Sequence, residues 1–302
     1  MKIIKKGILF DCKFYPDELL HSAIQPTALI TGENTAKVYC GARNQDGVST
    51  IYAVDIIKDG DNLKVLKVSD GPVLNIGLPG TFDDNGVVPS AVVRREEGIY
   101  MYYAGYQLSN NVRFLVLGGV AVSNDDGVTF TRIKNTPVLE RTDKEFLFRV
   151  AHTVLFEKGK WRVWYGGGNH FEKTADKTVP VYDIRYMESD DGINFPNEGS
   201  IVLPNAGNEY RVGRPYVIKK SGKYFMFFGA STNDVPYRLT YATSTDGHTW
   251  ERHDIGITYE EGEFDSNMSA YPCIIELENK SFMLYNGNDY GKQGFGYAEI
   301  NF

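Results

Sequence analysis

The 302-residue sequence is short of several things at once, and each shortage excludes something. No apolar run approaches the length needed to cross a bilayer, so no membrane insertion is expected. The opening MKIIKKGILFDCKFYPDE carries lysines, but its apolar run spans only three residues and no small-residue cleavage site follows. Cysteine is scarce: Cys12, Cys40 and Cys273 show no metal-ligand spacing, and their odd number argues against a disulfide framework. Reduced thiols and a cytoplasmic location are therefore expected, with neither metal nor cofactor. There is no basic excess, since 32 Lys and Arg face 39 Asp and Glu for a net charge of −7, and a nucleic-acid partner is not supported. Sustained helical periodicity with caps is also missing; DELLHSAI near residue 20 is a short, lone candidate.

Aromatics, glycine and proline are plentiful. With 20 Tyr, 17 Phe, 31 Gly and 12 Pro, the composition suits short strands punctuated by turns. The stretch FDDNGVVPSAVVRREEGIYMYYAGY, residues 82–106, shows the plan: an acidic pair, a proline-led apolar strand, a turn, and an aromatic return strand. The same plan recurs around Pro26 (QPTALI, then KVYCGAR), Ala151 (VAHTVLF, then KWRVWYGGGN), Pro215 (RPYVIKK, then KYFMFFGAST) and Pro272 (YPCIIEL, then SFMLYNGND). Anchors at 26, 89, 151, 215 and 272 lie 63, 62, 64 and 57 residues apart, a period that means a repeat architecture. Five units fill the chain, and a single all-β domain over residues 1–302 is expected, a five-bladed β-propeller of four-stranded antiparallel blades. The fifth unit stops one strand short at GFGYAEINF. The N-terminal KIIKKGILF is expected to supply that strand and close the ring, which would remove a long unpaired edge.

Three units share the turns DDGVTF, SDDGINF and STDGHTW, where Asp bonds backbone amides two residues on and Gly supplies the tight bend. They resemble the Asp-box turns of sialidases and related propellers and are read as scaffold, each following aromatic plugging its blade against a neighbour. The chemistry is expected where inner strands open on the central channel. His21, Gln25, Asp83, Asp84, Glu145, Arg149, His152, Glu209, Arg211, Arg214, Asp265, Asn267 and Tyr271 precede or flank the anchors. The ends of the second strands add Arg43, Tyr106, Asn169, His170, Asn286, Asn288 and Asp289, and the glycine-rich YNGNDYG around the last three reads as a binding loop.

The repeat pattern, with a proline-led inner strand and an aromatic second strand, resembles the five-bladed β-propeller glycosidases: arabinanases and xylosidases, invertases and levansucrases, and mannoside phosphorylases. The resemblance implies a sugar-handling protein with a general base, a pKa-tuning Asp and an acid on the first three blades. Gln25 occupies the first of those places, and an amide cannot take a proton. Asp83 or Asp84 matches the second, and Glu145 is the nearest carboxylate in the third unit; the invertase Asn-Asp-Pro-Asn is absent.

Glycosidic cleavage or transfer through paired carboxylates is the expected function, with Asp83 and Asp265 leading and Asp84 and Glu209 in reserve. The same acids also read as caps of the inner-strand turns. Gln25, Arg43, Tyr106, Arg149, His152, Arg211, Arg214, Asn286, Asn288 and Asp289 are the expected substrate contacts, and the arginines point to an anionic sugar. Asp83 and Asp265, in units that both neighbour the first, are expected to flank Gln25 with a gap of about 6.5 to 9.5 Å, the spacing of an inverting enzyme. A non-catalytic carbohydrate-binding propeller, or a transferase of activated sugars in polysaccharide assembly, are the alternatives.

Overall fold

A computed structural model describes residues 1–173 and 178–302. After β1 (Lys2–Asp11), the first blade consists of β2 (His21–Ile30), β3 (Thr35–Arg43), β4 (Ser49–Asp59) and β5 (Asn62–Val68). The second holds β6 (Val87–Arg95), β7 (Gly98–Leu108), β8 (Phe114–Ser123) and the two-residue β9 (Thr131–Arg132). The third holds β10 (Phe148–Glu157), β11 (Lys160–Lys173), β12 (Thr178–Ser189) and β13 (Ser200–Leu203), and the fourth β14 (Glu209–Lys220), β15 (Lys223–Thr232), β16 (Arg238–Ser244) and β17 (Glu251–His253). The fifth holds β18 (Ala270–Leu277), β19 (Lys280–Asn286) and β20 (Gly294–Asn301), with β1 pairing along β20 from Lys2↔Asn301 to Asp11↔Gly294. The two ends of the chain thus complete one sheet, as the truncated fifth unit implied. The inner strands β2, β6, β10, β14 and β18 pack in cyclic order, β18 returning against β2. The fold is the five-bladed propeller expected. DELLHSAI forms no helix; its second half is already β2.

The apolar core is divided among the blade interfaces. One cluster joins blades five and one through Phe10, Val38, Phe282 and Phe295, and four more fill the remaining interfaces. This explains the nearly continuous apolar strands. Tyr102 packs toward the third blade while Tyr103, the next residue, packs toward the first, so both faces of a blade are buried.

The Asp-box turns lock neighbouring blades. Tyr39 donates to the Gly127 carbonyl at 3.0 Å, Tyr102 to Gly192 at 2.6 Å and Trp164 Nε1 to Gly247 at 2.9 Å, each reaching from one blade to the turn of the next. Gly127 has φ +79°, and a Cβ there would collide with the Tyr39 hydroxyl. The fourth blade faces a blade without this turn, and Phe227, with no donor, stands in the equivalent register. The following aromatic plugs the interface as expected, Phe130 lying edge-on to Tyr39 at 5.3 Å.

Within each turn the Asp is held in its charged form. Hydrogen bonds from Ser123 and Thr129 bring Asp125 down to about 2. For Asp191 burial acts the other way, but the Asn194 and Ile193 amides outweigh it and bring it also to about 2. A depressed folded value means stability that is complete above the unfolded value of about 3.9 and lost as pH falls toward the folded one. Asp191→Asn is therefore expected to melt below wild type near neutral pH, with the gap closing as pH approaches about 2. Melting curves across that range check it; a constant gap would mean that the charge has no part.

Candidate functional site

The face on which inner strands begin is also where second strands end and third strands begin, because each blade is an antiparallel meander. A cavity of about 270 Å³ opens there, on the propeller axis, with walls from all five blades. Gln25 and Arg43 come from the first blade, Tyr106, Arg113 and Phe114 from the second, and Phe148, His152 and Tyr182 from the third. Arg211, Arg214 and Tyr237 come from the fourth, Tyr271 and Tyr290 from the fifth.

A bulge in every inner strand shapes this wall. Pairing is regular below it, where Thr27, Ala91, Thr153, Tyr216 and Cys273 face Tyr39, Tyr102, Trp164, Phe227 and Leu284. Just above, the register slips at Gln25-Pro26, Pro89-Ser90, Ala151-His152, Arg214-Pro215 and Tyr271-Pro272. Ser90 and His152, rather than Pro89 and Ala151, are thus the counterparts of the other three prolines. Gln25, Arg214 and Tyr271 take φ of 55°, 56° and 60°, a left-handed conformation rare for such residues. All three line the cavity, the kind of place where local strain is retained for function.

Arg214 is 3 % exposed and bridges blades across the axis. It donates to the Ser90 carbonyl at 2.6 Å, the Pro26 carbonyl at 3.3 Å and Thr27 Oγ1 at 2.7 Å, while its Nε has no partner. Burial lowers it to about 10, which leaves it charged at neutral pH. His152 Nδ1 accepts the Gly166 amide at 3.3 Å. Burial first, and the Arg214 charge second, hold His152 well below the ordinary imidazole value, so it is neutral and Nε2 carries the proton. Arg211 bonds Ser231 Oγ at 3.1 Å and stacks on Tyr237 at 4.8 Å. Gln25 Oε1 and the Tyr237 hydroxyl are buried without partners among the described residues. Among the described residues, no Asp or Glu lines the cavity.

The carboxylates have another place. Asp83 is fully buried and accepts Tyr103 Oη at 2.9 Å and Arg132 Nε at 2.7 Å. Asp265, equally buried, accepts Tyr285 Oη at 2.9 Å and Lys5 Nζ at 2.8 Å. Glu145 repeats the arrangement with Tyr165 and Arg185, and adds Arg149. In the fourth blade Phe228 replaces the tyrosine, and Glu209 takes Arg252 on both oxygens at 2.9 and 3.0 Å. Asp83, Glu145 and Asp265 are pins inside one blade, tying the loop before the inner strand to a second-strand tyrosine and a cation nearby, and Glu209 ties the start of β14 to Arg252. The near-duplicate FDDNGVVP and FDSNMSAYP encode that pin. Asp84 accepts the Gly80 amide at 2.8 Å in the same loop.

Of the expected substrate contacts, Gln25, Arg43, Tyr106, His152, Arg211 and Arg214 meet in the cavity. Arg149 is held by Glu145 and the Glu140 carbonyl. Asn286 ties the Gln25 amide to the Ala23 and Gly294 carbonyls, Asn288 caps the Asn267 and Met268 amides, and Asp289 bends the chain with φ 53°. These four do not line the cavity, so YNGNDYG is chiefly a tight structural turn that presents Tyr290. Arg113, Phe114, Phe148, Tyr182, Tyr237 and Tyr290 were missed in the sequence. Four of them lie in or beside the first half of a third strand, Arg113 and Phe114 at β8, Tyr182 in β12 and Tyr237 just before β16, and a search of those segments as well as inner-strand openings would have found them.

No family model matches the chain. It is 32% identical over 285 residues, 93% of this chain and 92% of the relative, to the uncharacterized protein Rv1502 of Mycobacterium tuberculosis H37Rv. Over 139 residues, 41% of this chain and 45% of the relative, it is 30% identical to a beta-1,2-mannobiose phosphorylase of Thermoanaerobacter sp. X514. Among solved structures it is similar to a glycoside hydrolase (TM-score 0.75, 17% identity, 99% and 91% of the two chains) and to a thermostable family-43 glycoside hydrolase (TM-score 0.69, 14% identity, 99% and 93%). The chain shares the five-bladed propeller fold of these two structures.

Proposed function

We propose, for a chain that belongs to the same family as the Mycobacterium tuberculosis protein Rv1502, that the axial cavity binds a small anionic carbohydrate. The observation that carries this reading is charge. Arg43, Arg113, Arg211 and Arg214 converge on one cavity in a protein of net charge −7, and no described lining residue is acidic. A buried guanidinium with an unpartnered Nε is an expensive group to keep unless an anion completes it. The tyrosines supply the apolar faces and hydroxyls that a sugar ring needs. At about 270 Å³, the cavity lies just below the range of about 300–1,000 Å³ of drug-sized pockets, which suits a monosaccharide derivative.

Isothermal titration with matched neutral and anionic monosaccharides tests it. Anionic sugars should bind at least about ten-fold more tightly, Arg211→Ala should remove most of that preference, and added salt should weaken it. Equal affinities for neutral and anionic members would end the reading.

A catalytic reading has one observation in its favour, the partial identity to a mannobiose phosphorylase. Phosphate would then be the anion, and a disaccharide plus phosphate would give a sugar 1-phosphate plus a free sugar. Incubation with β-1,2-mannobiose with and without phosphate checks it; no phosphate-dependent sugar phosphate would set it aside.

A further inference from the structure

We propose that Arg43 and Arg211, with the phenols of Tyr106, Tyr182, Tyr271 and Tyr290, form a cradle for a phosphoryl group carried by the sugar. This rests on the reading of the cavity as an anionic-sugar site and narrows it to a monosaccharide monophosphate. All five blades contribute: Arg43 on β3, Tyr106 on β7, Tyr182 on β12, Arg211 on β14, Tyr271 on β18 and Tyr290 after β19. The groups are close together. Arg211 reaches Tyr290 Oη at 3.4 Å, and the Tyr271 and Tyr290 rings are 6.2 Å apart. Tyr271 lies within electrostatic reach of Tyr290, Tyr182, Tyr106 and Arg43, and Tyr182 within reach of Arg211.

These phenols differ from three tyrosines of the second strands. Tyr103, Tyr165 and Tyr285 spend their hydroxyls on buried carboxylates. Among the described residues Tyr106, Tyr182 and Tyr271 face no carboxylate, and the neighbouring Tyr237 hydroxyl, 3 % exposed, has no hydrogen-bond partner.

Geometry and charge favour phosphoryl over carboxylate. A carboxylate presents two oxygens in one plane and is satisfied by a single guanidinium fork. Donors arriving radially from five blades match an oxyanion whose three oxygens diverge. Two guanidinium groups also match the charge of about −1.5 to −2 that a phosphomonoester carries at neutral pH. The Gln25 amide and neutral His152 remain beside the cradle for sugar hydroxyls.

The test is titration of glucose, mannose and galactose, their 1- and 6-phosphates, their uronic acids and inorganic phosphate. At least one hexose phosphate should bind about ten-fold or more tightly than its uronate, its parent sugar and inorganic phosphate. Its affinity should rise from about pH 5 to about pH 7, because the second phosphate ionisation lies near 6. The ionisable groups of the described lining are Arg43, Arg113, Arg211, Arg214, His152 and the tyrosines; burial already holds His152 neutral over that interval and leaves Arg214 charged. Arg43→Gln should lose about ten-fold or more in hexose phosphate affinity and Tyr271→Phe a few-fold, both at unchanged melting temperature. A uronate binding as well as the phosphate, with a flat pH profile, would overturn the cradle while leaving the anionic-sugar site standing. Inorganic phosphate binding as tightly as any hexose phosphate would overturn the sugar-borne source. No preference for any anion would remove both readings together.

Discussion

Replacing Glu145 with alanine is expected to lower the melting temperature by on the order of 10 °C while leaving the sugar affinity of the folded protein intact. Glu145 is fully buried and neutralises Arg149 and Arg185 while accepting Tyr165. Its removal leaves Arg149 without a carboxylate and Arg185 with Asp183 alone, in a medium that solvates guanidinium groups poorly, and breaking a buried pair from one side costs about 3–5 kcal/mol. Asp83→Ala and Asp265→Ala should follow with smaller falls, since the first strands only Arg132, which is less deeply buried, and the second leaves Lys5 still paired with Glu263. The double variant Glu145→Gln with Arg149→Met, which removes both charges of one pair and leaves Arg185 with Asp183, should recover part of the loss. Calorimetry measures the first effect and titration with hexose phosphates the second. Unchanged melting temperatures together with lost affinity or turnover would return these acids to the functional site.

That expectation reverses the weight the carboxylates carry in the sequence, and the reason is physical. An Asp a few residues before a proline-led inner strand occupies the same chain position whether its side chain turns toward the axis or back into the blade. The partner decides which, and the partners are remote: Tyr103 is 20 residues from Asp83, Arg132 is 49, and Lys5 is 260 from Asp265. Repeat length, blade count and ring closure were legible because they follow from local patterns of period two and of about 60 residues. The arginine-rich character of the site was legible too, since Arg211 and Arg214 lie beside an anchor and Arg43 ends a second strand. Bulge register was hidden, because Pro89-Ser90 and Ala151-His152 reveal their slip in pairing with β7 and β11. Tyr290 was hidden in a loop whose asparagines looked like ligands but are consumed as caps.

Arg214 is the residue in which fold and site cannot be separated, and Arg214→Met is expected to damage both. Its guanidinium is the acceptor-filling plug of the axis: the Pro26 and Ser90 carbonyls, freed by the bulges, have it as donor. Methionine fills similar volume but donates nothing, so two buried carbonyls lose their partner at about 1–3 kcal/mol each. The gain from no longer burying a cation offsets part of this, which leaves a net loss of about 2–4 kcal/mol and a fall of several degrees in melting temperature. Lysine should not rescue it, because one ammonium cannot span the Ser90 carbonyl on one side and the Pro26 carbonyl and Thr27 hydroxyl on the other. Hexose phosphate affinity, measured well below the unfolding transition, should fall about ten-fold or more in both variants, since the one cation on the cavity floor is displaced or gone. Arg43→Gln separates the two roles: it sits at the cavity wall without spanning the axis, so it should lose affinity and keep its melting temperature. An Arg214→Met protein with wild-type melting behaviour would show that the freed carbonyls find water instead. One that also kept full hexose phosphate affinity would place the ligand's charge entirely at the mouth, with Arg43 and Arg211.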